Sequence, residues 1–394
     1  MNTSKNVLFI IVISQFFCTS LWFAGNGIMS ELTTSFGLEQ SALAYLTSIV
    51  QFGFIIGTFI FAFLSIADRF SPSKVFFVCA LLGATFNISI IWESNTYASI
   101  LAFRFFTGFF LAGIYPVGMK IAADYFEKGL GKSLSFLVGA LVLGTALPHF
   151  LKDIKGELPW KFVLLTTSSL AVIGGILIIS TLPDGPFRKA SQKLNLSAIP
   201  KIFKEKRFRA AAFGYFGHMW ELYAFWAFVP VILLYYTEMH PNVSLNIPLL
   251  SFIVISAGSL ACVFGGYLAQ QFGLKQVAFI SLFLSCFCCI ISPIVFLVDS
   301  EIVFITFLIF WGMVVISDSP LFSTLVAQNA PSELKGTALT IVNSIGFAIT
   351  IISIQLLNEL KEYTNSINIF IILALGPILG LIALRKEKNT VNKT

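Results

Sequence analysis

Apolar residues along this chain come in long blocks separated by short polar gaps. A membrane-spanning helix needs about 20 predominantly apolar residues, while runs of roughly 10–14 suit a buried core helix. Twelve blocks are of the longer kind, at approximately 7–29, 43–66, 75–92, 98–119, 134–151, 162–182, 210–236, 247–269, 277–298, 302–327, 337–357 and 367–384. Each is predicted to be a helix. Six precede one long polar gap and six follow it. The first block exceeds the apolar core of a secretory signal, which is only about 7–15 residues, so it is expected to persist as a helix. The pattern predicts an all-α membrane protein with 12 transmembrane helices in two six-helix halves, residues 1–182 and 210–394, joined by a linker at 183–209. Within the linker, 199–208 reads as a short amphipathic helix lying on the membrane surface.

Composition agrees with the pattern. Hydrophobic residues make up 57% of the 394 and charged residues only 11%, against roughly 25% charged in soluble domains. The chain could not cover a water-facing surface. The net charge of +6 is a matter of loop placement and not of a nucleic-acid-binding patch. With the N-terminus inside, the inner loops and tails hold 20 Lys or Arg: Lys5, Arg69, Lys74, Lys120, Lys128, Lys132, eight in the linker, Lys275, Lys335, Arg385, Lys386, Lys388 and Lys393. Four lie on the other side, Lys152, Lys155, Lys161 and Lys361, and Arg104 sits inside a block. The positive-inside rule therefore puts both termini in the cytoplasm and the protein in the cell membrane, multi-pass.

Cofactor chemistry finds no foothold. The six cysteines (Cys18, Cys79, Cys262, Cys286, Cys288, Cys289) all fall inside apolar blocks, where free cysteine behaves as a small apolar filler. No phosphate-binding G-x-x-x-x-G-K-[ST] run is present. A membrane-embedded enzyme would need a fuller constellation than His218-x-x-Glu221 in a chain with three His. No enzyme activity, cofactor or metal is expected.

Six blocks plus six invite a search for duplication. Gly108, Pro116 and Gly131 in and after the fourth block match Gly312, Pro320 and Gly336 in and after the tenth, and "LSIADRFSPSK" matches "GYLAQQFGLK". Here the chain resembles the major facilitator superfamily (MFS). That family carries a loop G-x-x-x-D-R-x-G-R-K between helices two and three. Asp68 and Arg69 match it, while Leu64 and Ser71 replace its glycines and Lys74 alone keeps its basic end. "RFFTGFFLAG" in the fourth block matches a family R-x-x-x-G pattern at Arg104 and Gly108. "GALVLGTALP" lacks the Gly-Pro dipeptide of proton-driven exporters, so the alternative of an exporter of amphiphilic compounds is not favoured. The resemblance implies the MFS fold, in which helices one, four, seven and ten line a central cavity, and transport by alternating access.

Charge inside the membrane costs at least about 2.5–3.5 kcal/mol and marks functional candidates. Arg104, His218, Glu221 and Asp318 all lie in the cavity-lining blocks. His218 and Glu221 share a helix face one turn apart and are the expected proton-coupling pair, with Asp318 as a third member. Replacing Glu221 by Gln is then expected to abolish pH-driven uptake. Gln15, Asn26, Gln51, Trp220 and Tyr223 are further cavity candidates, and His149 is expected at the outer interface. Asp68 and Arg69 are expected to form a cytoplasmic gate with the other half. Gly53, Gly57, Gly108 and Gly139 would permit close helix contact. The expected function is proton-coupled secondary transport of a small polar or anionic organic solute by a monomer. Its partners are that solute, protons and the lipid bilayer, with no nucleic acid.

Overall fold

The computed structural model describes residues 3–39, 41–126, 130–154, 160–188, 194–364 and 366–386. Of the loop charges, Lys128, Lys155, Lys189, Lys193, Lys388 and Lys393 lie outside the described residues. Among those described there is no strand, and the chain falls into two units, Met1–Ser191 and Gln192–Thr394.

The first unit runs α1 (Thr3–Thr19), α2 (Met29–Phe36), α3 (Ala42–Phe63), α4 (Ile66–Arg69), α5 (Pro72–Ile88), α6 (Tyr97–Leu111), α7 (Tyr115–Tyr125), α8 (Leu130–Asp153) and α9 (Lys161–Thr181). The second runs α10 (Ile199–Lys204), α11 (Lys206–Met239), α12 (Ile247–Phe272), α13 (Leu274–Phe296), α14 (Glu301–Ser317), α15 (Ser319–Asn329), α16 (Lys335–Thr364) and α17 (Leu375–Lys386). Among the described residues, eleven helices are long and apolar enough to cross a membrane, counting α6–α7 and α14–α15 each as one. Asn6–Thr19 is a shorter apolar helix.

Several predicted helices are interrupted. The first block stops at Thr19, turns through residues 20–25 and resumes after the 3-10 turn Asn26–Ile28. The fourth and tenth blocks break at equivalent places, before Pro116 and Pro320. A proline has no N–H to donate, and its ring clashes with the carbonyl four residues back. Pro tolerates the first turn of a new helix, which is where each sits. The last block opens as a 3-10 helix, Ile367–Ala374, before α17. The predicted surface helix is shorter than expected: Glu205 turns extended, at ψ 118°, and ends α10, so Phe208 belongs to α11 and is fully buried.

The duplication reappears in the packing. A Cβ placed on Gly108 of α6 would lie 2.0 Å from the Val50 carbonyl oxygen of α3. A Cβ on Gly312 of α14 would lie 2.1 Å from the Val254 carbonyl oxygen of α12. The same offset separates the two glycines and the two valines. Only glycine lets backbones approach this closely. Gly53 and Gly57 extend the close α3–α6 contact, facing the Phe105 and Phe109 carbonyls.

At one end of the first unit, residues 182–188 fold back onto it. Ser73 donates to the Leu182 carbonyl at 2.7 Å, Tyr125 to that of Pro183 at 2.6 Å, and Ser71 to the Asp184 carboxylate at 2.6 Å. Arg188 donates to the carbonyls of Asp68 and Phe70, each at 2.9 Å. The start of the predicted linker is thus part of the first unit.

Candidate functional site

In the second unit, α11 carries His218 and Glu221 one turn apart, yet they find different partners. His218 Nδ1 lies 2.8 Å from Asp318 Oδ1, with both side chains 1% exposed. The break between α14 and α15 delivers the aspartate: Asp318 ends the first helix and caps the second, which begins Ser-Pro. Its carboxylate thereby sits at a helix N-terminus, where negative charge is stabilised. The carbonyls freed by the break are met locally. Asp318 N–H and the Cys262 thiol of α12 both reach the Ile316 oxygen, the thiol at 3.6 Å. Tyr215 and Phe322 flank the imidazole, with centroids at 6.0 and 6.3 Å.

The His218–Asp318 approach lies within ion-pair range and becomes an ion pair when the imidazole is protonated. Among the described residues, neither ring nitrogen of His218 and neither carboxylate oxygen of Asp318 has a hydrogen-bond partner. Buried polar groups are nearly always satisfied, so four such atoms together set this pair apart from the rest of the unit.

Glu221 faces the other way. Its Oε1 accepts from Trp311 Nε1 at 2.7 Å, from Cys289 Sγ at 3.2 Å and from Ser285 Oγ. The donors come from α13 and α14, so one buried carboxylate ties three helices. Phe225 packs on the Trp311 ring at 4.5 Å. The expected His218–Glu221 pairing therefore gives way to His218–Asp318. A shared face on one helix is a weaker constraint than a partner brought in from another. Ser285, Cys289 and Trp311 were not legible as ligands of Glu221. The one signal was Ser285 and Cys289 standing four apart, on one face of α13.

Trp220 and Tyr223 are packing residues in this geometry. The Trp220 indole donates to the Ile372 carbonyl at 3.0 Å, and its Cβ fills the space beside Gly376 of α17. Tyr223 is 3% exposed and packs edge-on against Trp226 and at a tilt against Phe347, with centroids at 5.3 Å in each case.

In the first unit, Arg104 is 1% exposed and spends its guanidinium on the break in the first block. It donates to the Leu21 carbonyl at 3.1 Å, the Trp22 carbonyl at 2.5 Å and Asn87 Oδ1 at 3.3 Å. Those two carbonyls lie just past the end of α1, and Gly25 leaves room for the Arg104 side chain alongside. Asn87 is held in turn by Thr167 and Ser168 of α9 at 3.1 and 3.0 Å. Sequence reading missed Asn87.

Gln15 and Gln51 are fully buried, and among the described residues neither amide finds a hydrogen-bond partner. Gln15 sits against Gly118, where a Cβ would lie 2.3 Å from its oxygen. Asn26 donates to Thr47 at 2.7 Å. His149, expected at the interface, is buried at 3% exposure. Asp68 pairs with Lys120 of α7, in its own unit, at 2.9 Å, and Arg69 is exposed. Among the described residues no group of His, Cys, Asp and Glu could hold a metal.

Comparison with known proteins places the chain. The family model of the Major Facilitator Superfamily matches residues 11–354. A niacin transporter, NiaP of Acinetobacter baylyi, is 27% identical over 161 residues, covering 35% of this chain and 36% of that one. The efflux pump FUBT of Fusarium oxysporum is 25% identical over 158 residues, covering 39% of this chain and 26% of that one. The chain thus matches about a third of the length of these curated relatives, or less. The crystal structure of the nucleoside transporter NupG superposes with a TM-score of 0.72 at 15% identity, covering 96% of this chain and 99% of that one. The chain therefore belongs to the Major Facilitator Superfamily and is a multi-pass membrane protein.

Proposed function

We propose that the protein is a proton-coupled secondary transporter of a small polar or anionic organic solute, with the His218–Asp318 pair as the proton-exchanging element. Both termini lie in the cytoplasm and transport proceeds by alternating access. One observation carries the proton role: a fully buried histidine and aspartate at 2.8 Å whose polar atoms have no hydrogen-bond partner among the described residues.

The physics is that of charge burial. With neutral imidazole and ionised carboxylate the pair carries a net negative charge, which is costly to seal away from water. One added proton makes it an imidazolium–carboxylate pair of zero net charge, far cheaper to occlude. Loading a proton thus favours a conformation in which the pair is sealed, and losing it favours one in which water reaches the pair. Other titratable groups about the pair are Glu221 and Cys262, both near enough to feel the charge of Asp318, and Tyr215, which packs beside the imidazole. Glu221 is held apart from the pair by its three donors, Trp311, Cys289 and Ser285. Arg104 and Asn87 shape the first block, and the amides of Gln15 and Gln51 are offered to the solute.

The niacin transporter's name suggests a first solute, a small carboxylate on a nitrogen heterocycle. The test is uptake of labelled nicotinate and a panel of small organic acids into proteoliposomes, with and without an inward proton gradient. A pH-sensitive dye trapped inside reads co-transported protons. Gradient-dependent accumulation with matching internal acidification is expected. Accumulation of a transported solute that ignores the gradient would overturn proton coupling.

A further inference from the structure

A basic mouth on the second unit is left unused by the transport reading. The α12–α13 turn, the end of α15 and the end of α17 enclose a groove of about 1170 Å³, bordered by Lys275, Gln276, Phe279, Leu325, Gln328 and Arg385 among others. Its described lining includes two basic residues and no acidic one. Arg385 is exposed, and its guanidinium carbon lies 5.7 Å from the Phe279 ring centroid. Such a cation–π contact holds the charge against the groove wall instead of letting it wander in solvent.

An apolar furrow leads away from this mouth between α13 and α17. Phe279 and Arg385 also border a second depression of about 270 Å³, with Phe283, Phe287 and Ile382. Ile290 and Ile378 are shared between that depression and a third, of about 560 Å³. Phe283, Phe287, Ile290 and Ile382 are 45–50% exposed, so the furrow is open along its side. From Phe279 to Ile290 is about 16 Å of helix, close to the ~15 Å depth of one leaflet's hydrocarbon. A cationic mouth at the end of an apolar furrow one leaflet long has the dimensions of a single lipid.

We propose that this groove binds one anionic phospholipid, its phosphate held by Lys275 and Arg385 with Gln328 beside them, and an acyl chain lying along α13 and α17. Charge complementarity selects this occupant. By the charge asymmetry of the loops this is the cytoplasmic face, where anionic lipids gather.

The test uses the full chain purified in detergent with added phosphatidylglycerol or phosphatidylcholine, read by native mass spectrometry and thermal unfolding. The wild type is expected to retain phosphatidylglycerol over phosphatidylcholine roughly thirtyfold, the effect of two interfacial cations. The Lys275→Gln/Arg385→Gln variant should lose that preference while keeping its unfolding temperature in phosphatidylcholine. A Phe283→Ala/Phe287→Ala variant should weaken retention of both lipids alike. Equal retention of the two lipids by the wild type overturns the assignment, as does a preference that survives loss of both cations. So does equal stabilisation by glycerol phosphate, which would mean a free-phosphate site, or a lipid-free dimer, which would mean that a second copy fills the groove.

Discussion

His218 of α11 and Asp318 at the α14–α15 break meet at 2.8 Å inside the second unit, each 1% exposed. Neither can be removed without leaving the other buried without its counter-group. Asp318→Asn keeps the shape and removes the titration. Uptake driven by a pH gradient is expected to vanish in Asp318→Asn and His218→Gln proteoliposomes, while solute counterflow at equal pH persists within about threefold, a barrier change of under 1 kcal/mol. Gradient-driven accumulation at wild-type rates in both variants would refute the pair's role.

Glu221 separates from that pair by its three donors. A Gln keeps an acceptor oxygen for Trp311, Cys289 and Ser285, whereas Ala orphans all three. Glu221→Ala should lose on the order of 3 kcal/mol of stability, seen as a lower melting temperature in detergent. Glu221→Gln should fold normally and shift the pH profile of transport without abolishing it. Abolition, with folding intact, would return the coupling to Glu221.

Arg104 caps the Leu21 and Trp22 carbonyls. Arg104→Ala leaves both carbonyls and the Asn87 oxygen without their donor, at a cost of roughly 3–5 kcal/mol. Arg104→Lys keeps the charge but not the planar fork that reaches several acceptors at once, so it should fall between. Low folded yield by fluorescence-detected size exclusion would register the loss. A fully stable Arg104→Ala protein that fails only in solute affinity would instead make the guanidinium a binding group.

Gly108 and Gly312 make the same contact in the two units. A Cβ at either would overlap a backbone carbonyl, which cannot swing aside as a side chain would. Gly108→Ala and Gly312→Ala should each cost about 1–3 kcal/mol or more, and by similar amounts. Thermal unfolding of the two single variants measures it; a clear effect at only one position would show that the duplicated contact is not equivalent.

Ser65, between α3 and α4, holds φ 51°, a left-handed conformation that costs an L-residue about 1–2 kcal/mol. Ser65→Gly is expected to stabilise the protein by roughly 0.5–1 kcal/mol after the entropy of glycine is counted. A drop in melting temperature would mean that the serine side chain offsets the strain.

The hydrophobic pattern carried the helices because spanning a bilayer demands long apolar runs, and a run such as 247–269 leaves little else for the chain to do. It was blind to the breaks, since a turn at residues 20–25 is as apolar as the helix before it. Pro116 and Pro320 stand at two of the interruptions, yet along the sequence they served only as markers of the repeat. Asp318 stood out in the sequence because the repeat puts Ile114 opposite it. Its partner did not: His218 and Glu221 look like neighbours along one helix, and nothing local tells which will meet a residue from α14. Arg104 was visible as a buried cation, but its carbonyl partners carry no side-chain signature at all.

The unequal inheritance of the two repeats has a genetic consequence. Where Asp318 and Glu221 stand in the second half, the first half has Ile114 and Phe17, and where Arg104 stands in the first, the second has Leu308. Duplication copied the scaffold, and divergence then left each copy with a different set of intramembrane charges. A selection for mutants that still exchange solute but no longer concentrate it should yield substitutions clustered in the 3′ half of the reading frame, with the 5′ half contributing mainly mutants that fail to assemble.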